Sequence, residues 1–226
     1  MATVKTLVCL ANSRKNAGRC VAGMVDEDSG QWIRPVSARP NREVSEYERQ
    51  YADRSDPRVL DIIAVPLLHS QERSYQSENW LLDPHYYWAK TGRAEWDKLL
   101  TLEQHPKTLW INGHSTYHGN NNRVLIEQAH TLQDSLKLIR VDCVTLQVHA
   151  PGAAFGDRKQ VVDAHFCHAG CTYILRLTDP EYEKTYLAKQ EGTYKLGESF
   201  LTVSLGEPHE DYAYKLVAAI IERAKI

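Results

Sequence analysis

The stretch "VKTLVCLANSRKNAGRCVAGMV", residues 4–25, decides the fold class. Two apolar segments rich in β-branched residues, Val4–Ala11 and Gly18–Val25, flank the polar link "NSRKN", which predicts two strands. The turn "DEDSG" follows, and then the alternating segment Gln31–Ser37. Asp, Ser and Gly between two apolar runs are typical of a hairpin turn. The chain is therefore expected to open with three consecutive strands.

Working outward, the later segments repeat this β character with little helix. Strand-length apolar runs are "RVLDIIAVPLL", "LKLIRVDCVTLQVHA", "KQVVDAHFCH", "CTYILRLTD" and "FLTVSLG". Short helices are expected over 44–52, 93–102 and 179–188, and the final segment 211–226 fits a strand, a helix or one passing into the other. Residues 69–133 are irregular. We predict a mainly β chain of two small barrels, 1–133 and 134–226, with a helical or irregular elaboration between them.

Composition places the chain among globular proteins. Of its 226 residues, 42% are hydrophobic, enough for a core, and no apolar run approaches the ~18 residues needed to span a bilayer. The start of the chain lacks the pattern of a signal peptide, so we expect a cytoplasmic protein with reduced cysteines and no membrane association. The net charge of −2 argues against binding to nucleic acid by bulk electrostatics. Lys and Arg are in excess over residues 1–42, however, which indicates a local basic surface.

The first candidate site lies in "LANSRKNAGRCVAG" and the strand after it. Arg14, Lys15 and Arg19 flank the first strand link, which on a small barrel belongs to a usual oligonucleotide face. Trp32 and Arg34 share one face of the third strand, where they could stack on or bond to bases. The alternative is a solvated hairpin end with ordinary surface charges.

The second candidate is the loop "LWINGHSTYHGNNNR", residues 109–123. Its amides, imidazoles and hydroxyls could bind a base or sugar edge, and Arg123 could bind a phosphate or carboxylate. The alternative is a structural loop, because Asn and Ser readily bond their own backbone. We assign Trp110 and His114 to function and leave Asn120, Asn121 and Asn122 to turn formation.

Other motifs favour plain structural roles. In "HFCHAGC" the Cys-x-x-x-Cys spacing does not suit zinc and no second compact pair exists, so we predict no metal site. "PGAAFGD" lacks the end of a phosphate-binding loop, although the following Arg158 and Lys159 could contact a phosphate. No recognised catalytic motif or cofactor signature occurs, so no catalytic residues are assigned and no cofactor is expected. A catalytic site assembled from distant residues stays open.

Several longer phrases of the chain resemble a known family. These are "CLANSRKNAGRCVAG", "QWIRPVS", "DPRVLDIIAVPL", "YQSENWLLD", "LWINGHSTYHGNNNR", "LIRV", "PGAAFG" and "LTVSLGEPHEDYAYKLVAAII". Together they are similar to the dual OB-fold domain of otherwise uncharacterised bacterial proteins. The resemblance implies two OB-like barrels, a role associated with nucleic acid, and a setting in prokaryotic defence or genome maintenance with protein partners in a multi-component system. It implies no catalytic residues.

The function expected from these observations is binding of nucleic acid, single-stranded rather than duplex. The residues expected to carry it are Arg14, Lys15, Arg19, Trp32, Arg34, Trp110, His114 and Arg123. The first alternative is a sensor or accessory subunit with a closed pocket for a nucleotide-like small molecule. The second is an enzyme of unfamiliar type centred on His114 and its basic neighbours.

Overall fold

The computed structural model describes residues 3–26 and 30–226, and these residues form two units. The first unit extends to Glu103 and includes Gln133–Ser135, and the second contains Gln104–Leu132 and Leu136–Ile226. Residues 104–132 therefore belong with the second unit, whereas the predicted boundary at 133/134 placed them with the first. The predicted turn "DEDSG" lies largely outside the described residues.

The first unit is built mainly of strands. Its elements are β1 (Thr3–Lys15), β2 (Gly18–Val25), β3 (Trp32–Val36), α1 (Glu46–Arg49), β4 (Asp61–Ser70), β5 (Asn79–Leu82), β6 (Ala89–Arg93) and α2 (Trp96–Leu102). The hydrogen-bonded order is β1-β2-β3-β5-β4, and β4 pairs back to β1, which closes a barrel. The β3–β5 pairing is parallel and the others are antiparallel. This is the Greek-key arrangement of an OB barrel.

A bulge in β1 lets one strand serve two partners. The register with β2 shifts between Cys9 and Ala11, while residues 3–8 pair with β4. Gly23 lies opposite Cys9, and a Cβ atom at this glycine would come within 2.3 Å of the carbonyl oxygen of Val8. Only glycine allows the backbones to approach so closely at the bend. The apolar side chains of the closed barrel, among them Ile33, Ile63 and Trp88, then fill its interior.

The second unit repeats the same pairing scheme, but two consecutive strands take the place of the single first strand of the barrel. Its elements are β7 (Arg123–Leu125), α3 (Ile126–Ala129), β8 (Leu136–Val141), β9 (Val144–His149), β10 (Val161–His168), β11 (Cys171–Leu177), α4 (Pro180–Leu187), β12 (Gly192–Leu196), β13 (Ser199–His209) and β14 (Tyr212–Glu222). The path β9-β10-β11-β14-β13-β8 has a parallel β11–β14 pairing, and its two ends, β8 and β9, are consecutive in the chain. The predicted mainly β fold with two OB-type units is confirmed.

Several predicted elements are confirmed with altered bounds. The helix expected over 179–188 is α4, whose first turn is capped by the side chain of Asp179. The helices expected over 44–52 and 93–102 are shorter, and the final segment is a strand. The polar link "NSRKN" was wrongly separated from the first strand, because β1 continues to Lys15 and only Asn16 and Ala17 form the turn. Its polar side chains alternate along a strand whose backbone is bonded to β2.

Candidate nucleic-acid interface

The three predicted phosphate-binding cations lie together at the end of the β1–β2 hairpin. Arg14 and Arg19 are direct cross-strand partners, and Lys15 is opposite Gly18. Arg14 is exposed, and Lys15 and Arg19 are half-buried. Like charges directly opposite each other disfavour strand pairing, and this pair concentrates positive charge at the end of the hairpin. The side chain of Glu43 packs beside Gly18 in this hairpin.

The prediction that Trp32 and Arg34 face outward is wrong. Trp32 and Arg34 are only 7% and 5% exposed, and every residue of β3 is buried. The guanidinium Nη2 of Arg34 lies 2.8 Å from Oε1 of Glu78 and donates to Oγ of Ser135 at 2.9 Å. A charge that is buried must be paired, and Glu78 supplies the pair from a distant part of the chain. The strand pattern alone could not reveal that partner.

The polar side chains of the loop 109–123 bond mainly to the protein itself. The Asn112 amide donates to the hydroxyl of Tyr173 at 2.9 Å, and the Asn120 amide donates to the carbonyl of Thr172 at 2.7 Å. Asn122 accepts from the backbone amide of Thr116 at 2.9 Å. Asn122 thus bonds within the loop, as expected of a turn residue, whereas Asn120 ties the loop to β11. Trp110, expected to function, is 9% exposed with a φ of 59°.

A buried lysine anchors this loop to the second barrel. Lys215 of β14 is 1% exposed, and its Nζ donates to the carbonyl of Ile111 and to Oδ1 of Asn112, both at 2.8 Å. Burial lowers the pKa of Lys215 from its ordinary value of 10.5 to about 7, a shift that the charge of Cys171 opposes. The oxygens of Ile111 and Asn112 thus accept the hydrogen bonds of a buried lysine, which gives a structural reason for part of the polar composition of the loop.

Two predicted residues of the loop do come together. Backbone pairing joins His114 to Arg123, whose guanidinium carbon lies 4.0 Å from the ring centre of Tyr212. The His114 ring is 5.9 Å from the same tyrosine. Together with Tyr212 they form a small cation–aromatic cluster. Because His114 and Arg123 are half-buried, this cluster lies at the surface of the second unit.

A cluster that the sequence analysis missed lies on the outer face of β9, β10 and β11. His149 Nε2 is 2.7 Å from Oδ2 of Asp163, and Nε of Arg176 donates to Oδ1 of the same carboxylate at 2.7 Å. His165 lies two residues from Asp163 on β10. Burial, reinforced by the charge of His149, lowers the pKa of His165 while Asp163 raises it. The ring of His118 is 5.4 Å from that of His149.

The loop between β9 and β10, which follows His149 directly, carries an aromatic ring and two cations. Phe155 is 92% exposed, and Arg158 and Lys159 are exposed as well. The sequence signal available for the missed cluster was alternation, since residues 149, 163, 165 and 176 share one face of their strands, although Asp163 is itself buried. Their pairing depends on strand register across gaps of more than ten residues, which one sequence does not reveal.

In residues 3–26 and 30–226, no cluster of three or more His, Cys, Asp or Glu side chains could hold a metal ion. In the hairpin of β10 and β11 the cross-strand partners are Cys167 with Thr172 and His168 with Cys171. Within the same part of the chain, no helix is long and apolar enough to cross a membrane.

Comparison with known proteins agrees with the topology of the two barrels. The family model of the dual OB-containing domain matches residues 5–220, nearly the whole chain. Searches of the curated proteins and of the solved structures returned no significant match.

Proposed function

The chain belongs to the family of dual OB-containing domains, and from that premise we propose that it binds single-stranded nucleic acid. OB barrels bind oligonucleotides at the face of their second and third strands and at the loop that joins the first strand to the second. In the first unit this loop is the hairpin end that carries Arg14, Lys15 and Arg19. The observation that carries the proposal is the direct opposition of Arg14 and Arg19 on the two strands next to that turn.

The second unit supports the same proposal independently. Its corresponding loop, between β9 and β10, carries Phe155, Arg158 and Lys159 at exposed positions. Exposed aromatic rings stack on bases, and Lys and Arg neutralise phosphates, which together give binding that tolerates any sequence. Cations therefore occur in the equivalent loop of both units. His114 and Arg123, beside Tyr212, are further proposed contacts, whereas the buried positions of Trp32, Arg34 and Trp110 remove them from the proposed surface.

The pocket alternative has less support. A half-open cavity of about 440 Å³ in the first unit is lined by apolar residues together with Glu48, Asp83 and His85. Two carboxylates would repel the phosphates of a nucleotide, and the lining residues include no Lys or Arg. A setting in prokaryotic defence or genome maintenance, with protein partners, is proposed only from the character of the family.

The proposal is tested by the salt dependence of binding. Fluorescence anisotropy with a labelled single-stranded oligonucleotide gives the slope of log affinity against log salt. Changing Arg14, Lys15 and Arg19 to Ala should flatten this slope by about two units, since each phosphate contact on a single strand contributes about 0.7. It should weaken all sequences alike, because phosphate contacts carry no sequence information.

The matched control removes three exposed cations elsewhere, Arg54, Lys107 and Lys184. It changes the net charge equally and should leave the slope nearly unchanged. An unchanged slope and affinity in the hairpin variant would show that the basic end is a solvated turn. Strong binding to duplex but not to single strands would contradict the proposed substrate class.

A further inference from the structure

Two imidazoles from separate elements face each other at the surface of the second unit. His118 belongs to the loop before β7, and His149 is the last residue of β9. Their ring centres are 5.4 Å apart and their planes are inclined by 54°. His118 is exposed and the His149 side chain is 18% exposed, so solvent and a ligand can reach the pair.

His149 is held in one orientation by a buried carboxylate. Its Nε2 is 2.7 Å from Oδ2 of Asp163, which is 4% exposed, and Arg176 holds the other carboxylate oxygen. In the neutral imidazole, a bond from Nε2 to an acceptor-only carboxylate places the proton on Nε2 and leaves the lone pair on Nδ1. An imidazole oriented in this way by an acid is the arrangement used by general bases.

The surroundings of the pair suit a nucleic-acid strand. Tyr117 is 96% exposed, and its ring meets the His118 ring edge-on at 4.7 Å. Across the ladder, the partner of His149 is Val161, and Lys159 lies two residues before it. A base could stack on the exposed tyrosine while Lys159 and Arg158 neutralise phosphates near the two histidines. This argument rests on the proposed function, since a strand must first bind.

We propose that His149 and His118 cleave bound RNA by metal-independent transesterification. His149 takes the proton of a ribose 2′-hydroxyl at Nδ1, and the 2′-oxygen forms a bond to the adjacent phosphorus. The bond from phosphorus to the 5′-oxygen breaks, and protonated His118 gives its proton to that leaving oxygen. The products are a 2′,3′-cyclic phosphate and a 5′-hydroxyl end. Solvent exchange returns both histidines to their starting states, and no oxidant, metal or second substrate is consumed.

The test incubates the full chain with a labelled single-stranded RNA in EDTA, beside the same sequence as DNA and as 2′-O-methyl RNA. We expect RNA fragments that end in a cyclic phosphate and no cleavage of the other two strands, which lack a free 2′-hydroxyl. His149→Ala and His118→Ala should each slow cleavage by about 100-fold or more. His69→Ala, an exposed histidine of the first unit, is the matched control and should cleave at the wild-type rate.

Asp163 is a positioning residue, and its role is separable from folding. Asp163→Asn should lower kcat while KM stays unchanged, because the amide no longer holds His149 in the required tautomer. Binding of uncleavable 2′-O-methyl RNA, measured for every variant, reports whether the surface is intact. His118 is exposed in a loop, so we expect His118→Ala to stay folded. This variant tests the cleavage mechanism even if His149→Ala or Asp163→Asn fails to fold.

The outcomes distinguish this inference from the proposed function. Wild-type protein that binds 2′-O-methyl RNA but leaves RNA intact overturns the cleavage mechanism and keeps the binding function. Equal cleavage by wild type and by His118→Ala also overturns it, because the activity then comes from another source. Absence of binding to every strand overturns both.

Discussion

Arg34 shows at the scale of one residue how a strand pattern can suggest exposure where the fold imposes burial. Alternation placed Arg34 on a face of β3, but both faces of this strand are covered. Glu78 neutralises the guanidinium, and Ser135 contacts both side chains. Removing either partner of such a pair destabilises the folded protein, because the other charge is then buried without compensation.

We therefore expect Arg34→Met to lower the free energy of unfolding by about 3–5 kcal/mol, because Glu78 would be left buried without its cation. Urea unfolding followed by tryptophan fluorescence measures the change. Arg14→Met, at an exposed position of the same unit, should change stability by less than about 0.5 kcal/mol. An Arg34→Met protein with wild-type stability and weakened oligonucleotide binding would return Arg34 to the list of base contacts.

A second prediction at this scale concerns the pH dependence of stability that the titration of Lys215 causes. Its pKa is about 7 in the folded protein and near 10.5 in the unfolded chain. Between these values the unfolded state binds more protons, so stability should rise with pH, by at most about 1.4 kcal/mol per pH unit. We therefore compare the free energies of unfolding of wild type and Lys215→Met at pH 7, 8 and 9. The value for wild type minus the value for the variant should become more positive as the pH rises. A difference that stays flat would mean that the carbonyls of the loop keep the lysine charged.

At the scale of elements, α4 depends on a single side chain. Oδ1 of Asp179 accepts from the amides of Glu181 and Tyr182, and Oδ2 accepts from the amide of Ile220 in β14. The carboxylate thus caps a helix and satisfies a buried strand donor at the same time. Its burial raises its pKa, which the three amide bonds oppose.

Asp179→Ala should destabilise the protein by about 2–4 kcal/mol, the sum of a lost cap and an unsatisfied buried amide. Asp179→Asn keeps an acceptor oxygen for the cap and should cost clearly less. Chemical unfolding of the two variants checks the order. Equal losses in both would show that the charge, rather than the acceptor geometry, stabilises the junction of α4 with β14.

The same distinction between local and distant partners explains which elements the sequence predicted. Helix α4 follows from its own signals, with Asp at the cap and Pro at the first turn, and hairpins follow from alternation on both sides of a turn. Strands β5 and β6 were missed inside an irregular region. β5 pairs in parallel with β3, more than forty residues earlier, and β6 pairs with the earlier strand β4 rather than with its neighbour in sequence. No local pattern encodes such a pairing.

At the scale of the whole molecule, the net charge of −2 means that the proposed binding of nucleic acid must depend on local groups of cations. The cations of the first hairpin were found from sequence because they are adjacent in it. The cluster of His149, Asp163 and Arg176 was not, because the carboxylate meets its partners only through the register of three strands. Adjacent charges can be recognised from one sequence, whereas sites assembled across a sheet need the fold.

If both units bind one strand, their contributions to salt dependence should add. Replacing Arg158 and Lys159 with Ala removes two phosphate contacts and should flatten the slope by about 1.4 units, against about two for the hairpin triple variant. The variant with all five changes should lose the sum of these, because the sites neutralise different phosphates. Anisotropy titrations at four salt concentrations give the slopes, and Arg54→Ala with Lys184→Ala serves as the control for two exposed charges. If the variant with all five changes has the same salt slope as the triple variant, only the first barrel contacts the strand. In that case the cations beside His149 have no strand to hold, and cleavage at that face would lose its substrate.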